Sequence, residues 1–91
     1  MKNLLDEARQ IINDADREMA QLFVKRMRAA ELVAEYKKER GLPILDSQRE
    51  GEVIERGAAL VEDETIRSFY VNFLKNNMEL SRSYQSLLIE G

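Results

Sequence analysis

The chain has 91 residues, of which 44% are hydrophobic and 34% charged, a composition typical of one soluble globular domain. Its net charge of −3 argues against general binding to nucleic acid or acidic membranes, and it has no cysteine or histidine, so disulfides, thiolate nucleophiles and the commonest zinc ligand are excluded. We find no signal peptide and no apolar run near the ~20 residues of a membrane span, and we expect a cytoplasmic protein.

A long first helix is predicted to begin after Asn3, a suitable N-cap, with Asp6 and Glu7 in its first turn. Gly41 and Pro43 follow a basic segment and mark its end. About 36 residues at ~1.5 Å each give a rod of roughly 54 Å. Because a compact monomer of this size has a radius of gyration of only ~12 Å, we expect the rod to pair with a second chain in a symmetric dimer.

One face of this helix carries a charge in an apolar series. Apolar residues recur at steps of three and four, which predicts a buried seam, and Arg26 falls within the series. A buried guanidinium without a partner is costly, so either the seam opens to water at Arg26 or an anion binds there. Taken alone, such an arginine is more often a snorkelling or paired side chain. The apolar members of the seam are Ala8, Ile12, Ala15, Met19, Leu22, Ala29 and Val33.

A short second helix is predicted after the linker GLPIL. It starts near Asp46 or Ser47, where Ser47-x-x-Glu50 fits a capping box. Two interior glycines, Gly51 and Gly57, weaken it. Its predicted apolar face comprises Val53, Ile54, Leu60 and Val61.

A third helix is predicted from about Glu64 to Leu88, with an apolar arc that Ser81 and Gln85 interrupt. The arc comprises Ile66, Phe69, Tyr70, Phe73, Leu74, Met78, Leu80, Tyr84, Leu87 and Leu88. The predicted fold class is therefore all-α, with three helices in the order long–short–long in a single domain, residues 1–91.

Polar residues at unusual places in these helices form a set with defined spacing. The set is Arg9, Arg26, Lys37, Asp46, Arg49, Glu50, Ser81 and Gln85. Together with the Arg9-x-x-Ile12 pair and the stretch from Lys37 to Glu50, it resembles the all-helical class of chorismate mutase over nearly the whole chain. The resemblance implies an intertwined homodimer whose long helix spans both halves.

The resemblance also implies the reaction, a Claisen rearrangement of chorismate to prephenate in phenylalanine and tyrosine biosynthesis. This chemistry needs no nucleophile, metal or cofactor. By the same resemblance, Arg26 and Ser81 would bind one substrate carboxylate. Lys37, with Arg9 contributed by the other subunit, would bind the second.

Further roles are implied for the remaining members of the set. Lys37 and Gln85 would face the ether oxygen, where negative charge develops as the C–O bond lengthens. Glu50 would hold the ring hydroxyl, with Arg49 and Asp46 nearby. The four basic and two acidic members of the set leave a net charge of +2, which matches a dianionic substrate.

Two other functions stay open on the sequence alone. The first is isochorismate-pyruvate lyase, a relative that resembles the mutase in its fold and its cationic site. That relative lacks an acid at the position that matches Glu50. A non-catalytic helical dimer that binds proteins or senses an aromatic metabolite would keep the apolar seam without needing the polar set. The chain is expected to be either a free-standing mutase or a domain of a bifunctional enzyme.

Overall fold

A computed structural model describes residues 3–91 of the protein. These residues form three α-helices, α1 (Leu4–Arg40), α2 (Ser47–Ala59) and α3 (Glu64–Glu90). No strand occurs in the described range. The predicted all-α fold in the order long–short–long is confirmed.

Both predicted ends of α1 are confirmed. The Asn3 side chain accepts a hydrogen bond from the Asp6 backbone N–H at 2.9 Å, which satisfies a donor that the helix itself leaves open. At the other end Gly41 has φ 63°, a left-handed conformation that glycine adopts without a steric penalty. The Leu42 N–H then returns to the Lys37 carbonyl at 2.9 Å and closes the helix.

The predicted capping box at the start of α2 is wrong. Asp46 is the N-cap, and its carboxylate accepts a hydrogen bond from the Arg49 backbone N–H at 3.1 Å. Ser47 is already helical, and the Glu50 side chain turns toward α3 instead of back to the cap. The predicted apolar face is also too long, because α2 ends at Ala59 and Leu60 beyond it is 76% exposed.

Helix α3 packs against both α1 and α2. The buried hydrophobic residues in the described range are only four, Ala30, Ala34, Leu74 and Met78. The chain is elongated, with extents of 58 × 27 × 14 Å and a radius of gyration of 16.5 Å. A compact chain of this length would measure about 12 Å, so a single chain leaves much of its surface uncovered.

The α1 seam is exposed in the single chain, and its predicted pairing with a second chain stays a prediction. Ala30 and Ala34 are buried, one position along from Ala29 and Val33, which are exposed. The buried residues differ from the predicted seam because α3 contacts the neighbouring face of α1. The predicted seam is therefore left facing outward. Toward the N-terminus, residues 3–25 are all exposed.

Close packing between α2 and α3 explains why position 57 is a glycine, but it does not explain the glycine at position 51. Gly57 is buried, and a Cβ there would overlap the Cδ1 methyl of Leu74 and lie 3.4 Å from the ring of Tyr70. A Cβ on Gly51 would meet nothing within 4 Å. Of these two glycines, only Gly57 lies where the second helix approaches the third too closely for a side chain.

A polar cluster joins α1 to α3 near the C-terminus. The Tyr84 hydroxyl donates to Glu31 Oε2, and Arg28 Nη1 donates to the same oxygen at 2.5 Å. These hydrogen bonds, that from Tyr84 foremost, lower the pKa of the Glu31 carboxyl. The bond to Glu31 likewise raises the pKa of Tyr84, because the hydroxyl must stay protonated to donate.

An apolar groove runs between the middle of α1 and the first half of α3, with a volume of about 840 Å³. Aromatic residues dominate its α3 side, and Phe69 is 71% exposed. The groove is lined by Met19, Ala20, Leu22, Phe23, Arg26, Ile66, Phe69, Tyr70, Phe73, Leu74 and Asn77.

No helix among residues 3–91 is long and apolar enough to cross a membrane.

Candidate functional site

A second cavity, with a volume of about 310 Å³, lies where all three helices meet. Its size is at the lower end of the ~300–1,000 Å³ usual for small-molecule sites. Helix α1 provides one wall, the start of α2 another, and the second half of α3 completes it. Seven of the eight residues singled out in the sequence line this cavity, namely Arg26, Lys37, Asp46, Arg49, Glu50, Ser81 and Gln85.

The α1 wall is the outward-facing part of the seam. Arg26 and Lys37 stand at its two ends, and Ala29 and Val33 lie between them. Arg26 is half-buried, and its Nη1 lies 3.5 Å from the amide oxygen of Asn77 on α3. Its guanidinium is thus not a buried, unpaired charge, because the seam opens into a cavity at this point.

Lys37 is held by two acceptors. Its ammonium donates to the backbone carbonyl of Ile44 in the linker and lies 3.4 Å from Gln85 Oε1 on α3. A lysine ammonium has three N–H donors, so one remains for a ligand. The basic residue near the end of α1 is therefore fixed before any ligand binds.

Ser81 and Gln85 form a buried polar pair one helical turn apart on α3. They are only 9% and 6% exposed, and Gln85 Nε2 donates to Ser81 Oγ at 3.1 Å. Because Ser81 accepts this bond, its hydroxyl hydrogen is available, and so is the second N–H of Gln85. The two buried side chains are hydrogen-bonded to each other, and they still present two donors to the cavity.

One further charged residue of the cavity, Arg82, is not indicated by any sequence pattern. Its Nη1 donates to both carboxylate oxygens of Glu50, at 2.6 Å to Oε2, and the two side chains are 32% and 24% exposed. Arg82 lies 32 positions from Glu50, and no spacing rule joins residues across two helices at that separation. Only the packing of α2 on α3 reveals the ion pair.

The cavity is cationic overall. Four basic side chains, those of Arg26, Lys37, Arg49 and Arg82, and two acidic ones line it, a net charge of +2. Among residues 3–91 no group of three or more acidic side chains could hold a metal ion. The arrangement can bind a small dianion and direct several hydrogen-bond donors at it.

Arg9 is the one predicted site residue that does not line the cavity. It is exposed on α1, 17 residues before Arg26, which is about 26 Å along the helix axis. No arginine side chain spans that distance. Arg9 can therefore reach a cavity of this kind only in another copy of the chain.

Comparison with known protein families gives a match to the family described as chorismate mutase type II, over residues 8–86. This range contains Arg9, the whole cavity wall of α1, all of α2, and α3 as far as Ser86. No curated protein and no solved structure matches the chain significantly.

Proposed function

The chain belongs to the chorismate mutase type II family and is an isomerase of chorismate to prephenate, and we propose that it catalyses this rearrangement in the cavity between its three helices. The observation that carries this proposal is the cavity itself. It has a net charge of +2 and gathers seven separate sequence positions around a space suited to a small dianion. Binding the substrate in its folded conformation lowers the barrier by preorganisation.

The two carboxylates of chorismate provide the anchors in this mechanism. Arg26 and the hydroxyl of Ser81 bind one of them, and Lys37 binds the other together with Arg9 of a second copy. Ser81 has a free hydroxyl donor for this role, and Lys37 keeps one free N–H. To reach both the carboxylate and the ether oxygen, Lys37 gives up its 3.4 Å contact with Gln85 Oε1. Anchoring both ends holds the enolpyruvyl side chain over the ring.

The ether oxygen gains negative charge as the C–O bond breaks, and we assign Lys37 and Gln85 to stabilise it. Their side chains lie side by side, 3.4 Å apart, so they can approach the same atom. Donors placed where charge develops stabilise the transition state more than the ground state. An acceleration of ~10⁶ requires about 8 kcal/mol, which preorganisation and these donors can supply together.

Glu50 accepts a hydrogen bond from the ring hydroxyl in this proposal. Arg49 and Asp46 lie beside it at the start of α2. Asp46 also caps the helix, so its carboxylate helps to fix the position of Glu50. An acidic group at this place favours the mutase reaction over isochorismate-pyruvate lyase activity.

We further propose that the protein is a homodimer in which residues 1–91 of each chain form one mutase domain. Three features support a second copy as the partner: the exposed first half of α1, the apolar groove, and Arg9 too far from its own cavity. Twofold pairing of the rods covers both apolar surfaces at once. Each cavity then receives Arg9 from the opposite chain.

The direct test is to incubate the protein with chorismate and to measure prephenate formation. We expect acceleration far above the solvent reaction. A folded, dimeric protein that gives no acceleration would overturn the proposal. A parallel incubation with isochorismate tests the lyase alternative, because release of pyruvate from isochorismate without turnover of chorismate would favour the lyase.

A further inference from the structure

We propose that Arg82 is a positioning residue for the rearrangement: its ion pair holds the Glu50 carboxylate ready to accept the hydrogen bond of the substrate's ring hydroxyl. This inference rests on the proposed function, because it takes Glu50 as the group that meets this hydroxyl. It adds to the site a residue that the spacing of the sequence does not indicate.

The geometry of the pair suits this role. A single guanidinium nitrogen, Nη1, donates to both oxygens of Glu50, so the carboxylate is held at its two ends. An ionised carboxylate has about four lone-pair sites, and Arg82 uses two of them. Because Glu50 lines the cavity and is 24% exposed, the other sites can face a ligand.

Preorganisation explains why such a partner is useful. A glutamate side chain has several rotatable bonds, and fixing them when the ligand binds reduces affinity. Glu50 is fixed by the protein itself, since Arg82 on α3 holds a side chain that belongs to α2. The substrate hydroxyl then meets an acceptor that needs no rearrangement.

Charge gives a second, independent reason. Glu50 is an anion in a cavity proposed to take a dianion, and the two repel each other. Arg82 neutralises it locally and leaves Arg26, Lys37 and Arg49 against Asp46, still a net charge of +2 for the substrate. Without Arg82 the cavity would have a net charge of only +1.

The test compares two substrates on the same protein: chorismate and the analogue that lacks the ring hydroxyl. For Arg82→Met we expect kcat/KM to fall about tenfold or more with chorismate, as expected for a weakened hydrogen bond to a charged group, and less than about twofold with the analogue. The ratio of the two kcat/KM values does not depend on how much protein is folded. Arg56→Met, the same change at an exposed residue of α2 outside the cavity, should leave both values unchanged.

Equal losses with the two substrates would overturn the inference, because they would indicate a purely structural role or a direct contact with a substrate carboxylate. The inference would also be overturned if Arg82→Met lowered kcat/KM in the Glu50→Gln variant by the same factor as in wild type. If Arg82→Met does not fold, Arg82→Lys keeps the charge without the planar group and should show the same pattern at smaller size. Absence of wild-type turnover would overturn the proposed function as well, whereas equal losses in an active enzyme would overturn only the role of Arg82.

Discussion

Lys37 is the residue through which the linker, α3 and the proposed substrate are connected. Its ammonium contacts the Ile44 carbonyl and Gln85, and we propose that it also faces the ether oxygen of the substrate. We predict that Lys37→Ala and Gln85→Ala each lower kcat at least about 100-fold, as removal of one donor from an oxyanion site does. Circular dichroism should show an unchanged helix content.

The neighbouring Lys38 supplies a matched control for this prediction. It is exposed and does not line the cavity, so Lys38→Ala should keep near-normal turnover. Near-normal kcat in either the Lys37 or the Gln85 variant would remove that residue from the proposed electrostatic role.

The Glu31–Tyr84 contact predicts how stability depends on pH. The pKa of Glu31 is lowered from 4.5 in the folded chain, chiefly by the hydrogen bond from Tyr84. A lowered folded pKa adds stability above the unfolded value, and this stability is lost as the pH falls through the folded value. We therefore expect the unfolding free energy of wild type to fall in the acid range below about pH 4.5, and to fall less steeply in Tyr84→Phe.

Urea unfolding at a series of pH values and one protein concentration measures this dependence. Tyr36→Phe serves as the control, because Tyr36 contacts Arg40 through the face of its ring, which the change keeps. Parallel acid profiles for wild type and Tyr84→Phe would contradict the assigned cause of the Glu31 pKa.

Sequence patterns could identify most individual site residues but not their contacts. Arg26 and Ser81 were noticeable because a polar group stood in an apolar series, and the cavity contains both. Arg82 follows no such pattern, since an arginine at the edge of an amphipathic helix is ordinary. Its role depends on which carboxylate lies opposite, and this is set by how two helices pack.

At the scale of elements, the two glycines of α2 differ in what surrounds them. Gly51 meets open space, so Gly51→Ala should raise the unfolding free energy by about 0.5–1 kcal/mol through helix propensity. Gly57→Ala should lower it by about 1 kcal/mol or more, because the new methyl overlaps Leu74, which is itself buried.

Urea unfolding of the two alanine variants at equal protein concentration tests this pair. Both changes add the same group to the same helix, so helix propensity cancels in the difference between them. Equal effects at the two positions would contradict the close approach of α2 to α3 at Gly57.

Helix ends were predicted as well as local signals allow. The cap at Asn3 and the left-handed Gly41 follow from one residue and its neighbours, and the structure confirms both. At α2 two acceptors, Asp46 and Ser47, competed, and the predicted box chose the wrong one. Which face of α1 meets α3 could not be predicted. Ala30 and Ala34, next to the seam, are also apolar, and only tertiary contact decides which face is buried.

The described residues form a rod that leaves most of its large hydrophobic side chains exposed. With extents of 58 × 27 × 14 Å and only four buried hydrophobic residues in the described range, the chain has a small core, which supports the proposed pairing with a second copy. The length of the rod was predictable from the helix signals, and pairing with a second chain stays a prediction. How the second copy sits was not, since the pairing geometry depends on both surfaces of the groove.

Mixing two inactive variants is the sharpest test of the proposal that each site is built from two chains. Arg9→Ala loses the residue given to the partner, and Arg26→Ala loses the residue kept in the chain's own cavity. A mixed dimer has one cavity with both arginines intact and one with neither. Random pairing after joint unfolding and refolding should therefore restore about a quarter of the wild-type prephenate-forming activity. Activity no higher than that of the separate variants, with mixed dimers shown to be present, would contradict a site built from two chains.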